Sequence, residues 1–463
     1  MDTDDTITGD CRRALEFDLK RLAPSFLADP FPIYRALREH DPVHRMPDGS
    51  YFLSRYEDCA AVYRDPETWS SDKRRDFRPN FADSLLYEHH TTSLVFNDPP
   101  YHTRVRKLLS PAFTPRALAA LQPRIEALVD RLIDRAVERG GIDLIEDFAA
   151  AIPVQLIGDM LGVPQDERGP LRGWSLAILG ALEPVLSPEQ SERGIRAVAD
   201  FKTYLRDLVA RRAGEGRRDD GEILSTLIAA SDCAPGKAVM AGHSRSKNGV
   251  AALAYDPAVQ VLATKQDADA RPKAGHDGGG ASNGDRLSEL ELLHNCIFIL
   301  NAGHETTTNL IGNGIDLLIR FPHAQAELRR DASLIASAVE EFLRMESSNQ
   351  LGNRRALRDT AIGGVAMREG TYVHIGIGAA NRDPAQFADP DRLDIARRPN
   401  RHLAFGTGIH ACSGMSLARM EGQVAIGRLM ARADIAPAGE PVRSGRARFR
   451  GFLRYPVRVR ARV

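Results

Sequence analysis

The spacing of apolar residues predicts a chain built mainly from helices. From about residue 100 to 230 apolar side chains mostly recur every three or four positions, as in PRIEALVDRLIDRAV and VADFKTYLRDLVARR, which gives a helix one buried face. Further on, Ser288 and Glu291 have the spacing of a capping box, so we expect a long helix that begins there and runs to about Arg320. Another helix is predicted through DASLIASAVEEFLRME.

Alternating apolar and polar positions indicate short strands near both ends. PVHRMPDGSYFLSRY alternates around a Pro-Asp-Gly turn, as a hairpin does. GTYVHIGIG is predicted as a strand, and VRVRARV at the C-terminus as a strand with one solvated basic face, an interpretation that we prefer to a docking or nucleic-acid patch. The predicted class is mainly α with small β-sheets (α+β).

Residues 235–284 interrupt this pattern. The segment is rich in Gly, Ala, Ser and Lys, and Tyr255 is its only aromatic residue. Such a composition cannot bury enough apolar area to fix its backbone. We therefore expect a flexible surface insertion within a single domain of residues 1–463.

Composition narrows the class of protein. The chain of 463 residues carries 62 Lys and Arg against 62 Asp and Glu, so no overall charge points to nucleic acid or to an anionic membrane. No run of about 20 apolar residues could span a bilayer. The cysteines lie far apart and form no CxxC pair, which fits a reducing cytoplasm. They are Cys11, Cys59, Cys233, Cys296 and Cys412.

The candidate chemistry centres on the sequence FGTGIHACSG, from Phe405 to Gly414. A thiolate is a strong, soft ligand for iron, and the start of the helix predicted after Cys412 offers it a positive dipole and free N–H groups. Gly406 and Gly408, together with Gly414, would permit tight turns and a close approach of backbone to a flat macrocycle.

Three other interpretations of this loop compete. Gly406-x-Gly408-x-x-Ala411 matches a dinucleotide fingerprint, but too little chain follows for the sheet that the fingerprint needs. A phosphatase-like nucleophile loop needs an arginine at a fixed spacing after the cysteine. Arg419 lies one residue too far along the chain for that motif. A plain buried cysteine in a glycine turn is the third possibility.

FGTGIHACSG resembles the cysteine loop of the cytochrome P-450 superfamily, whose pattern is FxxGxxxCxG. The match holds Phe405, Gly408, Cys412 and Gly414 and extends to His410. The resemblance covers nearly the whole chain except the insertion. It implies the P-450 fold, with heme b (iron protoporphyrin IX) between the long oxygen-binding helix and the helix of the cysteine loop, and Cys412 as the iron ligand.

The long helix contains AGHETT, which matches the family's A-G-x-[ED]-T-T pattern. By itself the Glu305–Thr306 pair could be a solvated turn of helix. The resemblance implies a distal proton relay, in which Thr306 holds bound dioxygen and Glu305 connects to solvent.

A further motif is Glu341-x-x-Arg344 in EEFLRME. Alone, such a pair is a weak surface ion pair. In the family it is a buried structural lock joined by an arginine of the later irregular segment, for which Arg392 is the candidate.

The resemblance also implies cationic partners for the heme propionates. His102 and Arg106 lie i and i+4 on one predicted helix face. Arg354 and His402 are the further candidates, Arg354 being preferred to Arg355 by its spacing to Asp359.

The function implied is a monooxygenase that activates O2 and inserts one oxygen atom into a hydrophobic small molecule. No flavin or iron–sulfur segment is present, so electrons should come from separate proteins such as a ferredoxin with its reductase. We expect a cytoplasmic monomer. The alternatives are a peroxide-driven peroxygenase, which should not need the Glu305–Thr306 pair, and a heme-thiolate sensor without turnover.

Apolar residues are expected to face the distal pocket, and they favour a terpenoid, fatty acid, aromatic or polyketide substrate. They lie in or beside SLLYEHHTTSLVF (residues 84–96), the long helix and the C-terminal segment. The candidates are Leu94, Leu300, Ala302, Leu351, Phe452 and Leu453.

Overall fold

Helices account for most of the structure. The computed structural model describes residues 3–213, 223–233 and 286–462. The α-helices of these ranges are α1 (Thr3–Leu15), α2 (Pro24–Ala28), α3 (Phe31–His40), α4 (Tyr56–Arg64), α5 (Arg74–Phe81), α6 (Leu85–Thr92), α7 (Tyr101–Leu109), α8 (Pro115–Arg139), α9 (Ala151–Met160), α10 (Leu171–Gly180), α11 (Pro188–Ala213), α12 (Ile223–Ala229), α13 (Glu289–Arg320), α14 (Pro322–Arg330), α15 (Ile335–Met345), α16 (Ile377–Ala380) and α17 (Met415–Arg432).

Short strands form small sheets, as expected for an α+β chain. The strands are β1 (Val43–Arg45), β2 (Tyr51–Leu53), β3 (Trp69–Ser70), β4 (Gly141–Asp143), β5 (Leu351–Ala356), β6 (Thr360–Ile362), β7 (Val365–Met367), β8 (Tyr372–Gly376), β9 (Ala433–Pro437), β10 (Val442–Arg443), β11 (Phe452–Arg454) and β12 (Pro456–Ala461). The largest sheet has the order β1-β2-β8-β5-β3, and a second has the order β4-β12-β9. In the largest sheet β2 and β8 run parallel, whereas the other neighbours run antiparallel.

The predicted strands are found where the alternation placed them. β1 and β2 form the N-terminal hairpin, in which Val43 is paired with Leu53. In β12 the valines at 457 and 459 are buried while the arginines at 458 and 460 are exposed. The solvated basic face predicted for VRVRARV is therefore confirmed.

Helix α13 runs through the centre of the fold and has the bounds that the sequence predicts. The Ser288 side chain accepts a hydrogen bond from the Glu291 backbone, and the Glu291 carboxylate accepts one from the Ser288 backbone, so the capping box is complete. Apolar and small residues line most of the helix all round, because it packs against α9, α10, α15 and α17.

One large apolar core extends from α8 and α9 across α13 to α17, and smaller cores lie beside the five-stranded sheet and under the N-terminal helices. No described helix is long and apolar enough to cross a membrane. The predicted insertion, residues 235–284, lies outside the described residues.

Candidate active site

A cavity of about 340 Å³ lies between the middle of α13 and the loop that precedes α17. Phe298, Ala302 and Thr306 line it from α13, and Cys412 and Gly414 line it from the cysteine loop. Two segments separated by about 100 residues thus face each other across one cavity, as the resemblance implied.

The cysteine loop is held by its own backbone. The Cys412 N–H donates to the carbonyl of Phe405 at 2.9 Å, and the partly buried thiol lies just ahead of α17. Burial raises the pKa of the Cys412 thiol, whereas the Gly414 N–H and the Arg106 guanidinium act to lower it. Burial therefore favours the neutral thiol, and a bound metal cation would favour the thiolate.

Glycines at two positions of this loop are required by the backbone. Gly406 has φ +63° and Gly408 has φ +73°, in the left-handed region. A Cβ at Gly408 would lie 2.2 Å from the backbone carbonyl oxygen of Tyr63. Gly408 therefore permits a close approach to α4, a protein contact that the sequence did not reveal.

A group of cationic and imidazole side chains lines one end of the cavity. Arg106 donates to the carbonyls of Ile409 and Ala411 at 2.9 and 2.8 Å. Both ring nitrogens of His102 are buried without a hydrogen-bond partner, and its ring lies 4.1 Å from that of His410. These side chains can bind an anionic ligand. His102 has no hydrogen-bond partner that the ligand would have to displace.

Arg354 and Lys73 extend this cationic end of the cavity. Arg354 is buried, lies over the Tyr63 ring and lines the cavity, whereas Arg355 points away and pairs with Asp76. The position of Arg354 agrees with its choice over Arg355, and its contact with a heme propionate stays a prediction. Burial lowers the pKa of Lys73 to about 7, and this residue was missed because its sequence context SSDKRRD is typical of a surface.

His402 does not line the cavity. Its Nε2 lies 3.2 Å from the Glu340 carboxylate, and its Nδ1 accepts from the Ala404 N–H. Both ring nitrogens of His402 thus have protein partners, and its role as a further propionate partner stays a prediction.

The predicted lock is present, with a different third member. Arg344 donates two 2.8 Å hydrogen bonds to Glu341, and both side chains are fully buried. Arg397 donates to both Glu341 oxygens at 3.2 Å, while Arg392 contributes only a backbone carbonyl that accepts from Arg344. The choice of Arg392 is wrong because the turns after it carry the chain back and bring Arg397 to the carboxylate.

The acid and the hydroxyl of AGHETT lie on different sides of α13. Thr306 lines the cavity, and its Oγ1 donates to the Ala302 carbonyl at 2.5 Å. Glu305 is buried outside the cavity lining and pairs with Arg446, which is partly exposed. Burial raises the pKa of Glu305 to about 7, although the Arg446 cation acts to lower it. Glu305 can thus exchange a proton near neutral pH.

Three of the six residues expected in the pocket line it: Leu94, Ala302 and Leu351. Leu300 is buried on another face of α13. Phe452 packs under the Arg443 guanidinium, and Leu453 is half exposed. Phe449 lies in the cavity instead, because the C-terminal segment approaches the site before β11 begins and not within it.

Polar residues that the sequence interpretation passed over also line the cavity. They include His89, His90, Asn301, Asn349 and Arg448. The two adjacent histidines of SLLYEHHTTSLVF were the signal available in the sequence for His89 and His90.

Comparison with known proteins identifies the family. The family model for cytochrome P450 matches residues 276–459. The chain is 36% identical over 444 residues to a vitamin D(3) 25-hydroxylase from Pseudonocardia autotrophica, with 94% of each chain covered. It is 32% identical over 455 residues to the cytochrome P450 monooxygenase PikC from Streptomyces venezuelae, with 96% of this chain and 94% of that protein covered.

Solved structures agree. The fold matches CYP109E1 from Bacillus megaterium, crystallised in complex with testosterone, with a TM-score of 0.76 and 26% identity over 94% of this chain and 99% of that one. The chain therefore belongs to the cytochrome P450 family. It is a heme-dependent monooxygenase that acts on small molecules with O2 and electrons from redox partners.

The residues of the cavity fit the heme of this family. Cys412 lines the cavity and would supply, as a thiolate, the soft anionic ligand that iron accepts. His102, whose ring nitrogens have no partner, could donate to the carboxylates of the macrocycle together with Arg106 and Arg354. The cysteine loop and α13 bound the cavity on either side.

Proposed function

We propose that this enzyme inserts one oxygen atom into a neutral, largely apolar molecule of about the size of a steroid or a terpenoid. The observation that carries this proposal is the lining of the cavity on the α13 side, which is dominated by aliphatic and aromatic side chains. They include Leu94, Ile157, Ile178, Phe298, Leu351 and Phe449. Burying such a surface favours an apolar ligand.

The relatives support the same size class. One of them is a vitamin D(3) 25-hydroxylase, and another was crystallised with testosterone. Vitamin D(3) and testosterone are both largely hydrocarbon ring systems with few polar atoms. Arg106 and Arg354, two of the cations that line the cavity, are engaged by the proposed heme contacts.

We propose that Cys412 binds the heme iron and that Phe405, Gly408 and Gly414 shape the loop around it. When bound, the heme supplies the activation of O2 and the oxygen transfer. The Gly414 N–H, which lowers the thiol pKa, would donate a hydrogen bond to the sulfur and so stabilise its anionic form.

Proton delivery is assigned to Glu305 and Thr306. The Thr306 hydroxyl donates to the Ala302 carbonyl, so its lone pairs are free to accept a hydrogen bond in the cavity. Glu305 shares its buried carboxylate with Arg446, which reaches the surface, and it changes charge near pH 7. A proton taken up at Glu305 can thus be passed toward the Thr306 side of the helix through water.

We also propose that the chain acts as a cytoplasmic monomer and receives its electrons from a ferredoxin with its reductase. The cysteines among the described residues are all free thiols, which supports a reducing compartment. Light scattering of the purified protein, with and without ferredoxin, tests the oligomeric state.

The deciding experiment is the absorbance of the reduced protein with carbon monoxide, followed by turnover. We expect a strongly red-shifted Soret band for the wild type and its loss in Cys412→Ala. Ferredoxin-driven oxygenation of a steroid panel should then give products. Products formed with peroxide alone would favour the peroxygenase alternative, and a normal spectrum without turnover under either condition would favour the sensor.

A further inference from the structure

A chain of hydrogen-bonded side chains leads from the surface to the cavity beside α6. The Lys202 ammonium pairs with the Glu88 carboxylate, whose side chain is 37% exposed. Glu88 lies 2.8 Å from Nε2 of His294, and Nδ1 of His294 lies 3.3 Å from Nδ1 of His89. His294 and His89 are both buried, and His89 lines the cavity.

The charge of Glu88 fixes the direction of these hydrogen bonds. Hydrogen bonds from His294 and Lys202 lower the pKa of Glu88 to about 2, so its carboxylate is ionised and can only accept. Nε2 of His294 must therefore carry the proton that it donates. Burial lowers the pKa of His294, which leaves its ring neutral and its Nδ1 an acceptor.

The same reasoning passes to the next ring. Because Nδ1 of His294 accepts, Nδ1 of His89 must donate, and burial keeps the His89 ring neutral by lowering its pKa well below the ordinary value. A neutral imidazole has a single N–H. Nε2 of His89 is then an acceptor, since the ring hydrogen bond that His89 makes to the residues that the structure describes runs through Nδ1.

We propose that His89 is a specificity-determining residue whose Nε2 accepts a hydrogen bond from a hydroxyl or N–H group of the substrate. The substrate class proposed above is thereby narrowed to apolar molecules that carry such a donor, and the inference rests on that proposed function. Glu88 and His294 are positioning residues, because they fix which nitrogen of His89 is protonated without touching the ligand.

The geometry sets where this donor binds. His294 stands on α13 four residues before Phe298 and eight before Ala302, both of which line the cavity. At 1.5 Å per residue, the polar contact at His89 is about 12 Å along the helix from the level of Ala302 and about 18 Å from that of Thr306. The donor group would therefore be held at the end of the substrate remote from the carbon that is oxidised.

Binding of three matched probes to the heme-loaded enzyme tests the proposal. The probes are testosterone, its 17-ketone androstenedione and testosterone 17-methyl ether, and the readout is the spin-state shift of the Soret band. We expect the alcohol to bind about five- to tenfold more tightly than the ketone and the ether, the range of one neutral hydrogen bond. His89→Phe should bring that ratio to about one, and His89→Gln, whose amide oxygen accepts, should restore part of it.

A second measurement needs no ligand other than carbon monoxide. Histidine labelled with ¹⁵N in the reduced, carbon monoxide-bound protein reports which ring nitrogen is protonated, and the His89 signals are those that His89→Phe removes. We expect Nε2 of His89 to be unprotonated at neutral pH, and Glu88→Gln to change that state.

The outcomes separate the two proposals. A protonated Nε2, or equal affinities for alcohol and ketone in the wild type, would overturn the role of His89 and leave the apolar substrate class standing. Absence of a spin-state shift with all three probes would instead contradict the proposed substrate class. The ¹⁵N measurement would then test by itself whether Nε2 of His89 is unprotonated.

Discussion

Single side chains decide the chemistry of this protein because the fold removes them from water. Burial holds the Cys412 thiol neutral until a metal cation is bound, and it brings the pKa of Glu305 to about 7. Thr306 lines the cavity one residue further along α13. The surroundings of each group suit it to a different role, and a substitution at one position tests each role.

Replacing Thr306 by alanine should uncouple electron use from product formation. The hydroxyl that lines the cavity is lost, so we expect the product formed per electron to fall about tenfold or more and peroxide to rise. Thr308→Ala is the matched control, because Thr308 makes the same hydrogen bond to the carbonyl four residues earlier, at 2.9 Å, but does not line the cavity. Equal coupling in both variants would show that the Thr306 hydroxyl has no part in proton delivery.

Replacing Arg446 by glutamine should move the pH dependence of turnover upward. The Arg446 cation lowers the pKa of Glu305, and its removal leaves the effect of burial less opposed, so the carboxyl pKa rises from about 7. The ionised form then appears at higher pH, and the acidic limb of the rate profile should shift in the same direction. Glu305→Gln should abolish that limb, and an unchanged limb in both variants would mean that another group titrates.

At the scale of elements, the segment between α16 and α17 is irregular yet fixed by one buried carboxylate. Glu341 of α15 accepts from Arg344 and Arg397. The Asp394 N–H also donates to this carboxylate, at 3.0 Å. A buried acid with so many donors ties α15 to the chain that leads into the cysteine loop.

Arg397→Ala should therefore destabilise the protein, by about 2–3 kcal/mol, since it removes charged hydrogen bonds from a buried carboxylate. Arg392→Ala is the control, because the Arg392 side chain is exposed and only its backbone carbonyl takes part. We expect that control to change the free energy of unfolding by less than about 0.5 kcal/mol. Urea unfolding followed by heme absorbance measures both, and a larger loss in Arg392→Ala would reverse our assignment.

The cysteine loop offers a second matched pair. Gly406 and Gly408 both have positive φ, but nothing lies within 4 Å of a Cβ at Gly406, whereas a Cβ at Gly408 would meet the Tyr63 carbonyl. Gly406→Ala should cost about 1 kcal/mol from backbone strain. Gly408→Ala should cost about 3 kcal/mol, because strain and overpacking add. Thermal unfolding of the heme-loaded variants compares them, and equal losses would mean that α4 yields to the methyl group.

At the scale of the whole molecule, the segments on either side of the insertion meet. Ser231 and Leu287 form a β-bridge, and the Leu287 N–H donates to the Ala230 carbonyl at 2.9 Å. The chain thus leaves α12 and enters α13 from one place in the fold, so that a short connection could replace residues 235–284.

Deleting residues 235–284 and joining the ends through a short Gly-Ser linker should leave heme binding and the carbon monoxide spectrum intact. The entropic cost of closing a short loop is smaller than that of closing a long one. The unfolding midpoint of the heme-loaded variant should stay close to that of the full chain. A heme-free or insoluble product would show that the segment belongs to the fold, and would contradict the expectation of a flexible insertion.

The sequence by itself determined the elements and motifs that depend on local order. The bounds of α13 follow from its capping box and apolar composition, and the strands β1, β2, β8 and β12 follow from alternation. The cysteine loop and the AGHETT and ExxR motifs were likewise readable, because their residues are close together in the chain. The positions of Cys412, Thr306 and Arg354 at the cavity agree with that interpretation.

Tertiary structure alone decided which distant groups meet. It joined Arg397 rather than Arg392 to Glu341, turned His402 to Glu340, and put Phe449 in the cavity in place of Phe452. It also linked Lys202, Glu88, His294 and His89 into one chain of hydrogen bonds. These pairings depend on how irregular segments return to the core, and local periodicity carries no information about that path. The physical reason is that a buried polar group must find a partner, and only the packed chain determines which one is within reach.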